Sequence, residues 1–204
     1  MIVIIDYGMG NLRSIYKSLK RLEIESIISS DPDIIESAEK LILPGVGHFA
    51  HGMQNLIKTG LTDVLNKKVL KQKTPILGIC LGMQLFCSRS EEGNAPGLNW
   101  IDAETVRFNI ADTIKYKIPH IGWNSIRVEK NTKLLNTIGV EDLFYFVHSY
   151  HVKCNDQSII RGMTHYAYDF TSVVEYNNIY GTQFHPEKSH KQGLQVLKNF
   201  VHKG

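Results

Sequence analysis

Three short stretches hold side chains whose types and spacing could make and break an acyl bond. The first is "GICLG", where Cys80 stands two residues from a glycine on either side, Gly78 and Gly82. That layout matches a strand-to-helix elbow, in which a tight turn lifts a nucleophile to the top of a sheet and small flanking residues let neighbouring backbone come close. At a helix N-terminus the thiol would also face the positive end of the helix dipole, which favours its thiolate form. A small buried hydrophobe fits the same five residues, because free cysteine is among the most buried residue types. A working thiol therefore needs a base from elsewhere in the chain.

"QFHPEKS" offers one. His185 and Glu187 are two apart in what reads as an extended stretch, so both side chains leave one face, with Pro186 keeping His185 extended. Glu187 can then hold one imidazole nitrogen while the other reaches the thiol, which is the orienting logic of a catalytic triad. A surface histidine beside a solvated glutamate is the plain alternative. The third stretch is "LPGVG": a proline and two glycines after a strand expose backbone N–H groups of the kind an acyl oxyanion needs, and a simple tight turn would use the same residues.

These three stretches need a scaffold that brings them to one edge. "MIVIID", "IESIIS", "LILPGVG" and "PILGIC" read as four strands, and three of them end in glycine turns. Between them Leu12, Ile15, Tyr16, Leu19 and Leu22 recur at helical spacing, Asp31 and Pro32 form a helix start, and Phe49, Met53, Leu56 and Ile57 give a further helix a buried stripe. A second helical stretch follows to about Leu70. From Asn99 to about Gly181 the pattern changes to strand-like runs such as "AETVRF", "NSIRV", "LFYFVHSY" and "TSVVEY", where antiparallel additions are expected. Leu194, Val196, Leu197, Phe200 and Val201 make a closing helix. The pattern predicts one α/β domain over residues 1–204: a doubly wound, mostly parallel sheet with helices on both faces and antiparallel strands added in the C-terminal half.

Composition removes several classes of function. Lys and Arg number 23 against 20 Asp and Glu, a net charge of +3 spread without a basic block, which argues against nucleic acid. No apolar run approaches the roughly 20 residues of a membrane span, and "MIVII" lacks a basic leader, so a cytosolic protein is expected. The three cysteines, Cys80, Cys87 and Cys154, contain no C-x-x-C, so neither a disulfide framework nor a zinc knuckle is supported. His48 and His51 could share a helix face but have no third ligand, and His148 and His151, three apart in a strand-like stretch, are expected to point to opposite faces. No metal is expected. "GMGNLRS" lacks the third glycine of a dinucleotide loop, so no nucleotide cofactor is expected either.

"DYGMGNLRS", "LPGVGHF", "GICLGMQ", "PHIGWN", "FVHSY" and "QFHPEKS" occur in the order found in the glutaminase subunits of imidazole glycerol phosphate synthases, and the chain resembles that branch of the class-I glutamine amidotransferases over nearly its whole length. The resemblance implies that Cys80 attacks the side-chain amide of glutamine, that His185 protonates the departing ammonia and then activates water, and that Glu187 orients His185. It implies an oxyanion hole from the backbone N–H groups of Leu81 and Val46, the latter after a peptide rearrangement. Gly47, Gln84, Ser149 and Tyr150 correspond to glutamine-binding positions. Asn11 and Trp123 correspond to the face that meets a partner (βα)8-barrel synthase, although a buried indole would suit Trp123 equally well.

"SYH" at Ser149–His151, "EKSHK" at Glu187–Lys191 and "GLNWIDAE" look more like a relative that serves sugar amidation in surface-polysaccharide synthesis. They leave the triad untouched and bear only on the ammonia acceptor. A stand-alone cysteine hydrolase and a non-enzymatic binding protein on the same scaffold are further readings, separated from the first by dependence on a second protein and by thiolate chemistry at Cys80.

Overall fold

The four-residue run Ile2–Ile5 is apolar throughout because both of its faces are covered. In the computed structural model, which describes residues 1–204, this run is β1, and it pairs in parallel with β2 (Ser26–Ser29) on one side and β3 (Lys40–Gly45) on the other. β4 (Ile76–Cys80) pairs in parallel with β3. Alternate residues separate into two clusters. Val3, Ile5, Leu41, Leu43 and Ile76 join one, while Ile2, Ile4, Ile42, Leu77 and Ile79 join the other. The first is covered by α2 (Pro32–Glu36), α3 (Phe49–Lys58) and α4 (Leu61–Asn66), the last continuing as a π-helical turn to Lys71. The second is covered by α1 (Leu12–Arg21) and by the C-terminal α6 (His190–Lys203), through Ile15, Leu19, Val196, Leu197 and Phe200. Local chemistry starts α2 as expected: the Asp31 side chain accepts from the Asp33 N–H at 2.9 Å, with Pro32 at the first helical position.

The short α5 (Leu81–Gln84) follows β4, and two small strands, β5 (Arg89–Ser90) and β6 (Ala95–Pro96), come next. Then follow β7 (Ala103–Arg107), β8 (His120–Ser125), β9 (Arg127–Val128), β10 (Leu143–His148) and β11 (Tyr150–Cys154). β12 (Ile160–Tyr166), β13 (Tyr168–Tyr176) and β14 (Ile179–Thr182) complete the set. The main sheet runs β2-β1-β3-β4-β14-β13-β11-β7-β5-β6, with β12 and β9 continuing from β13. β8 and β10 pair antiparallel as a separate two-stranded sheet.

Two expectations change here. "NSIRV" is not one strand: His120–Ser125 pairs with β10, and Arg127–Val128 leaves to pair with β12. β14 lies parallel beside β4, so the segment that follows it emerges at the same carboxyl edge as the elbow. His148 and His151 do not face opposite ways. They belong to different strands joined at Ser149, and both rings pack on Phe108, at centroid distances of 5.2 and 4.8 Å.

Close approach between layers explains one glycine at the elbow. A β-carbon on Gly82 would lie 1.8 Å from the Leu43 carbonyl oxygen, whereas one on Gly139 would meet nothing nearer than 3.6 Å. Gly82→Ala is expected to destabilise the protein by about 3 kcal/mol or more and Gly139→Ala by well under about 1 kcal/mol. Chemical denaturation of the two variants checks this, and equal losses would contradict the packing argument.

Candidate active site

The turn from β4 into α5 is tight enough to force Cys80 into the positive-φ region, at φ 54° and ψ −108°. For a residue with a β-carbon this costs on the order of 1–3 kcal/mol and persists only where surrounding structure enforces it. Gly82 allows α5 to sit against β3, and a β-carbon on Gly78 would be 2.6 Å from the Met83 nitrogen. α5 is only four residues long, so the expected dipole reduces to the free N–H groups of a single turn. Cys80 is 6% exposed and lines a cleft of about 360 Å³.

His185 hangs from the carboxyl end of β14. Its Nδ1 is 2.8 Å from Glu187 Oε1, and both side chains are almost wholly buried. The pair is not extended, as the spacing suggested: Pro186–Lys188 forms a single 3₁₀ turn, which folds Glu187 back onto the ring. The segment is fixed to β10, since the His185 N–H donates to the Tyr145 carbonyl at 2.9 Å and the Ser189 hydroxyl accepts from the Tyr145 N–H at 3.0 Å. Nε2 is buried without a formed hydrogen bond. Burial alone would lower the imidazole pKa, but the charge of the nearby Cys80 thiolate and hydrogen bonding to it, followed by Glu187, raise it to about 10. The sulfur's charge thus acts on Nε2 although the two do not meet hydrogen-bond geometry.

Val46, Gly47, Leu81, Gln84, Ser149 and Tyr150, all anticipated, line the cleft with Cys80. Gly45 pairs with Cys80 across β3 and β4, so the "PGVG" turn begins beside the sulfur. Gln84 is 4% exposed, and its Nε2 donates both to the Tyr150 carbonyl at 2.9 Å and to Gln183 Oε1 at 3.0 Å. Its own oxygen is what it can offer a ligand.

Sequence reasoning missed four residues here. Glu92 lines the cleft, and its Oε2 accepts the Phe49 N–H at the start of α3, at 2.8 Å. Nothing in the local pattern of "SRSEEGN" signals that. Gln183 lies within "QFHPEKS", where only the histidine and glutamate types suggest chemistry by themselves. His148 lines the cleft, and its Nε2 is 3.2 Å from His120 Nδ1 while its Nδ1 is 2.8 Å from the Tyr150 carbonyl. A carbonyl can only accept, so His148 carries its proton on Nδ1 and its Nε2 accepts from His120. Burial lowers the His120 pKa to about 4 and that of His148 well below the ordinary histidine value, so both stay neutral.

Asn11 and Trp123 lie outside the cleft. Asn11 is exposed at the start of α1 and makes no side-chain cap bond. Trp123 is 45% exposed rather than a core residue, and its indole stacks on His190 with a centroid distance of 4.9 Å and an interplanar angle of 4°. Cys87 and Cys154 are buried, and burial is the chief cause that pushes each thiol up to about 12. His48 caps α3, with its Nδ1 accepting from the Ala50 N–H at 3.2 Å. No group of three His, Cys, Asp or Glu side chains is placed to hold a metal.

The model of the family "Glutamine amidotransferase class-I" matches residues 3–203. The chain is 52% identical over 201 residues to "Imidazole glycerol phosphate synthase subunit HisH 2" of Methanococcus maripaludis, covering 98% of each chain. It is 48% identical, at the same coverage, to the like-named protein of Pseudomonas aeruginosa. "Imidazole glycerol phosphate synthase subunit HisH" of Leptospira borgpetersenii is 43% identical over 202 residues, with 98% of this chain and 99% of that one covered. Among solved structures, one described as "Crystal structure of glutamine amidotransferase" superposes with a TM-score of 0.74 at 17% identity, covering 98% of this chain and 97% of that one, a likeness of fold.

The electrostatics at His185 can be read directly. Its imidazole is expected to titrate near pH 10 by NMR, and Cys80→Ala, which removes the thiolate but leaves burial and Glu187, should bring that midpoint down. An unchanged midpoint in Cys80→Ala would show that the sulfur does not hold the proton.

Proposed function

The chain belongs to the class-I glutamine amidotransferases, and from that premise we propose that it is the glutaminase subunit of an imidazole glycerol phosphate synthase. It hydrolyses glutamine to glutamate and ammonia, and the ammonia passes to a (βα)8-barrel synthase subunit in histidine biosynthesis. The observation that carries this reading is that Cys80 lines the cleft while the buried His185, held by Glu187 at 2.8 Å, lies close enough for the sulfur's charge to act on its imidazole, in a chain 52% identical over nearly its full length to a subunit so named. The relatives' names support the histidine-pathway acceptor over a sugar. One catalytic domain over residues 1–204 is supported by the continuous sheet that joins the two halves. The chemistry needs no cofactor, and the reading places the protein in the cytoplasm.

Cys80 Sγ adds to the side-chain carbonyl carbon of glutamine, and the developing oxyanion is held by the N–H groups of Leu81 and of Val46, the latter once its peptide turns inward. His185 gives its proton to the amide nitrogen, the C–N bond breaks, and ammonia leaves a glutamyl thioester. His185, now neutral, takes a proton from water as the water attacks. The C–S bond then breaks, and glutamate departs with the thiolate restored. Glu187 holds the imidazole in position through both steps.

At the other end of the substrate, Gly47, Ser149 and Tyr150 supply backbone and side-chain groups. The α-ammonium requires an acceptor. Glu92, the carboxylate on the cleft wall, and the Gln84 oxygen suit it. The exposed Trp123, Ile121 and Leu143 on β8 and β10, with Asn11 on α1, form the face offered to the synthase.

Glutamate release in the presence of the synthase tests the roles. Cys80→Ser and His185→Asn should each lose at least about 100-fold, Cys87→Ala should retain most activity, and Glu92→Gln should raise the KM for glutamine roughly tenfold with a smaller change in kcat. Retention by His185→Asn would require another base. Turnover by the isolated chain should be weak and strongly stimulated by a barrel synthase carrying its ligand, with Trp123→Ala loosening that coupling. Full activity alone would mark a stand-alone hydrolase, and stimulation only by a sugar-amidating enzyme would move the acceptor to surface-polysaccharide synthesis.

A further inference from the structure

A chain of three side-chain groups runs from the wall of the cleft to the Cys80 sulfur. It starts at the Tyr150 carbonyl, which can only accept, so the Gln84 atom 2.9 Å away is its NH₂ nitrogen. That same nitrogen lies 3.0 Å from the Gln183 side chain, so the Gln183 atom facing it is the oxygen. The orientation of the second amide follows: its nitrogen points the other way and lies 3.5 Å from Cys80 Sγ, a donor-to-sulfur contact. Gln183 is fully buried, and its backbone N–H is anchored on the Ser172 carbonyl at 2.9 Å.

From this geometry we infer that Gln183 is a positioning residue for the Cys80 sulfur, donating a hydrogen bond to its thiolate and tying it through Gln84 to the wall at Tyr150. The sulfur of a residue only 6% exposed has little water to stabilise its charge, so fixed donors must replace water. The Gln183 amide is the donor within hydrogen-bond distance of the sulfur, and the His185 imidazole contributes its nearby charge. Glutamine suits the position because it must accept from Gln84 on one side and donate to sulfur on the other. A glutamate would turn an acceptor toward the thiolate, a methionine would leave the Gln84 proton unpaired, and an asparagine is one methylene too short to span the gap. In the glutaminase cycle, on whose assignment this role rests, the donor acts twice. It favours the attacking thiolate, and it favours the same thiolate as it leaves the acyl carbon with the electron pair of the broken C–S bond.

Gln183→Glu keeps an acceptor for Gln84 but brings a carboxyl group to the sulfur, whereas the neutral Gln183→Met removes the donor without adding charge, so slowed alkylation in both variants separates the lost donor from charge repulsion. The readout is the rate at which iodoacetamide alkylates Cys80 in the full chain, followed by peptide mass spectrometry, and it needs no glutamine turnover. At neutral pH the rate should fall roughly tenfold, and it should recover as the pH is raised. With the synthase present, kcat should fall by a similar factor while the KM for glutamine stays within about twofold. Gln84→Leu, which frees the Gln183 amide to turn, should raise KM and also slow alkylation, by a smaller factor than loss of Gln183 itself. Should Gln183→Glu fail to reach the wild-type melting temperature, Gln183→Met, neutral and of similar length, carries the same expectation for alkylation. A folded variant that alkylates at the wild-type rate across pH overturns the inference. Slowed alkylation in a chain whose wild type releases no glutamate with any synthase would instead sink the glutaminase reading and leave the role of Gln183 standing.

Discussion

The Leu43 carbonyl oxygen lies where residue 82 would carry a β-carbon in any amino acid other than glycine, and the geometry of the cleft follows from that contact. Because α5 can press against β3, the elbow residue is driven to positive φ and its side chain is lifted to the sheet edge. The same contact brings the start of the "PGVG" turn alongside: a β-carbon on Gly45 would sit 2.8 Å from that of Leu81. The two backbone segments of the proposed oxyanion hole are therefore set by strand pairing and close packing, not by flexible side chains. The strain at Cys80 is held by the parallel strands on either side of β4, the most buried part of the sheet.

Around that backbone lies a set of polar groups that water scarcely reaches. A charged imidazole and a carboxylate with 2% and 1% side-chain exposure would be costly alone, and their 2.8 Å contact offsets part of that cost. The remainder falls to the thiolate on one side and to the links with β10 on the other. Low local dielectric strengthens each of these interactions and makes the loss of any one member expensive. The neutral pair His120 and His148 behaves differently: it is kept uncharged by burial and serves the cleft by holding the Tyr150 carbonyl.

The residues that could be read from sequence are those whose local conformation is itself the signal. Glycines two positions either side of Cys80, the "PGVG" turn and the His-Pro-Glu spacing each encode a backbone shape within a few residues. The alternation in Ile2–Ile5 and Lys40–Gly45, split between two faces, likewise needs no distant information. Gln183 and Glu92 were invisible for the opposite reason. Their meaning lies in partners 103 and 43 residues away in the chain, Cys80 and Phe49. His148 and His151 misled because periodicity was extended across a strand break at Ser149. The 3₁₀ turn at Pro186 was missed because proline suits an extended stretch and a helical first turn alike.

Burial of Cys87 and Cys154 also decides where oxidative damage can land. Both belong to the apolar cluster that Cys80 does not join, and with pKa values of about 12 they stay protonated and unreactive at neutral pH. A peroxide entering the cleft meets one sulfur. The sulfenic acid formed there has no second thiolate within the chain to condense with, so it cannot be trapped as an internal disulfide and then reduced. Recovery depends on a thiol small enough to enter the cleft from outside. Failing that, a second peroxide advances the sulfur to the sulfinic state, and two successive oxidations remove the cleft's thiol from an otherwise intact fold.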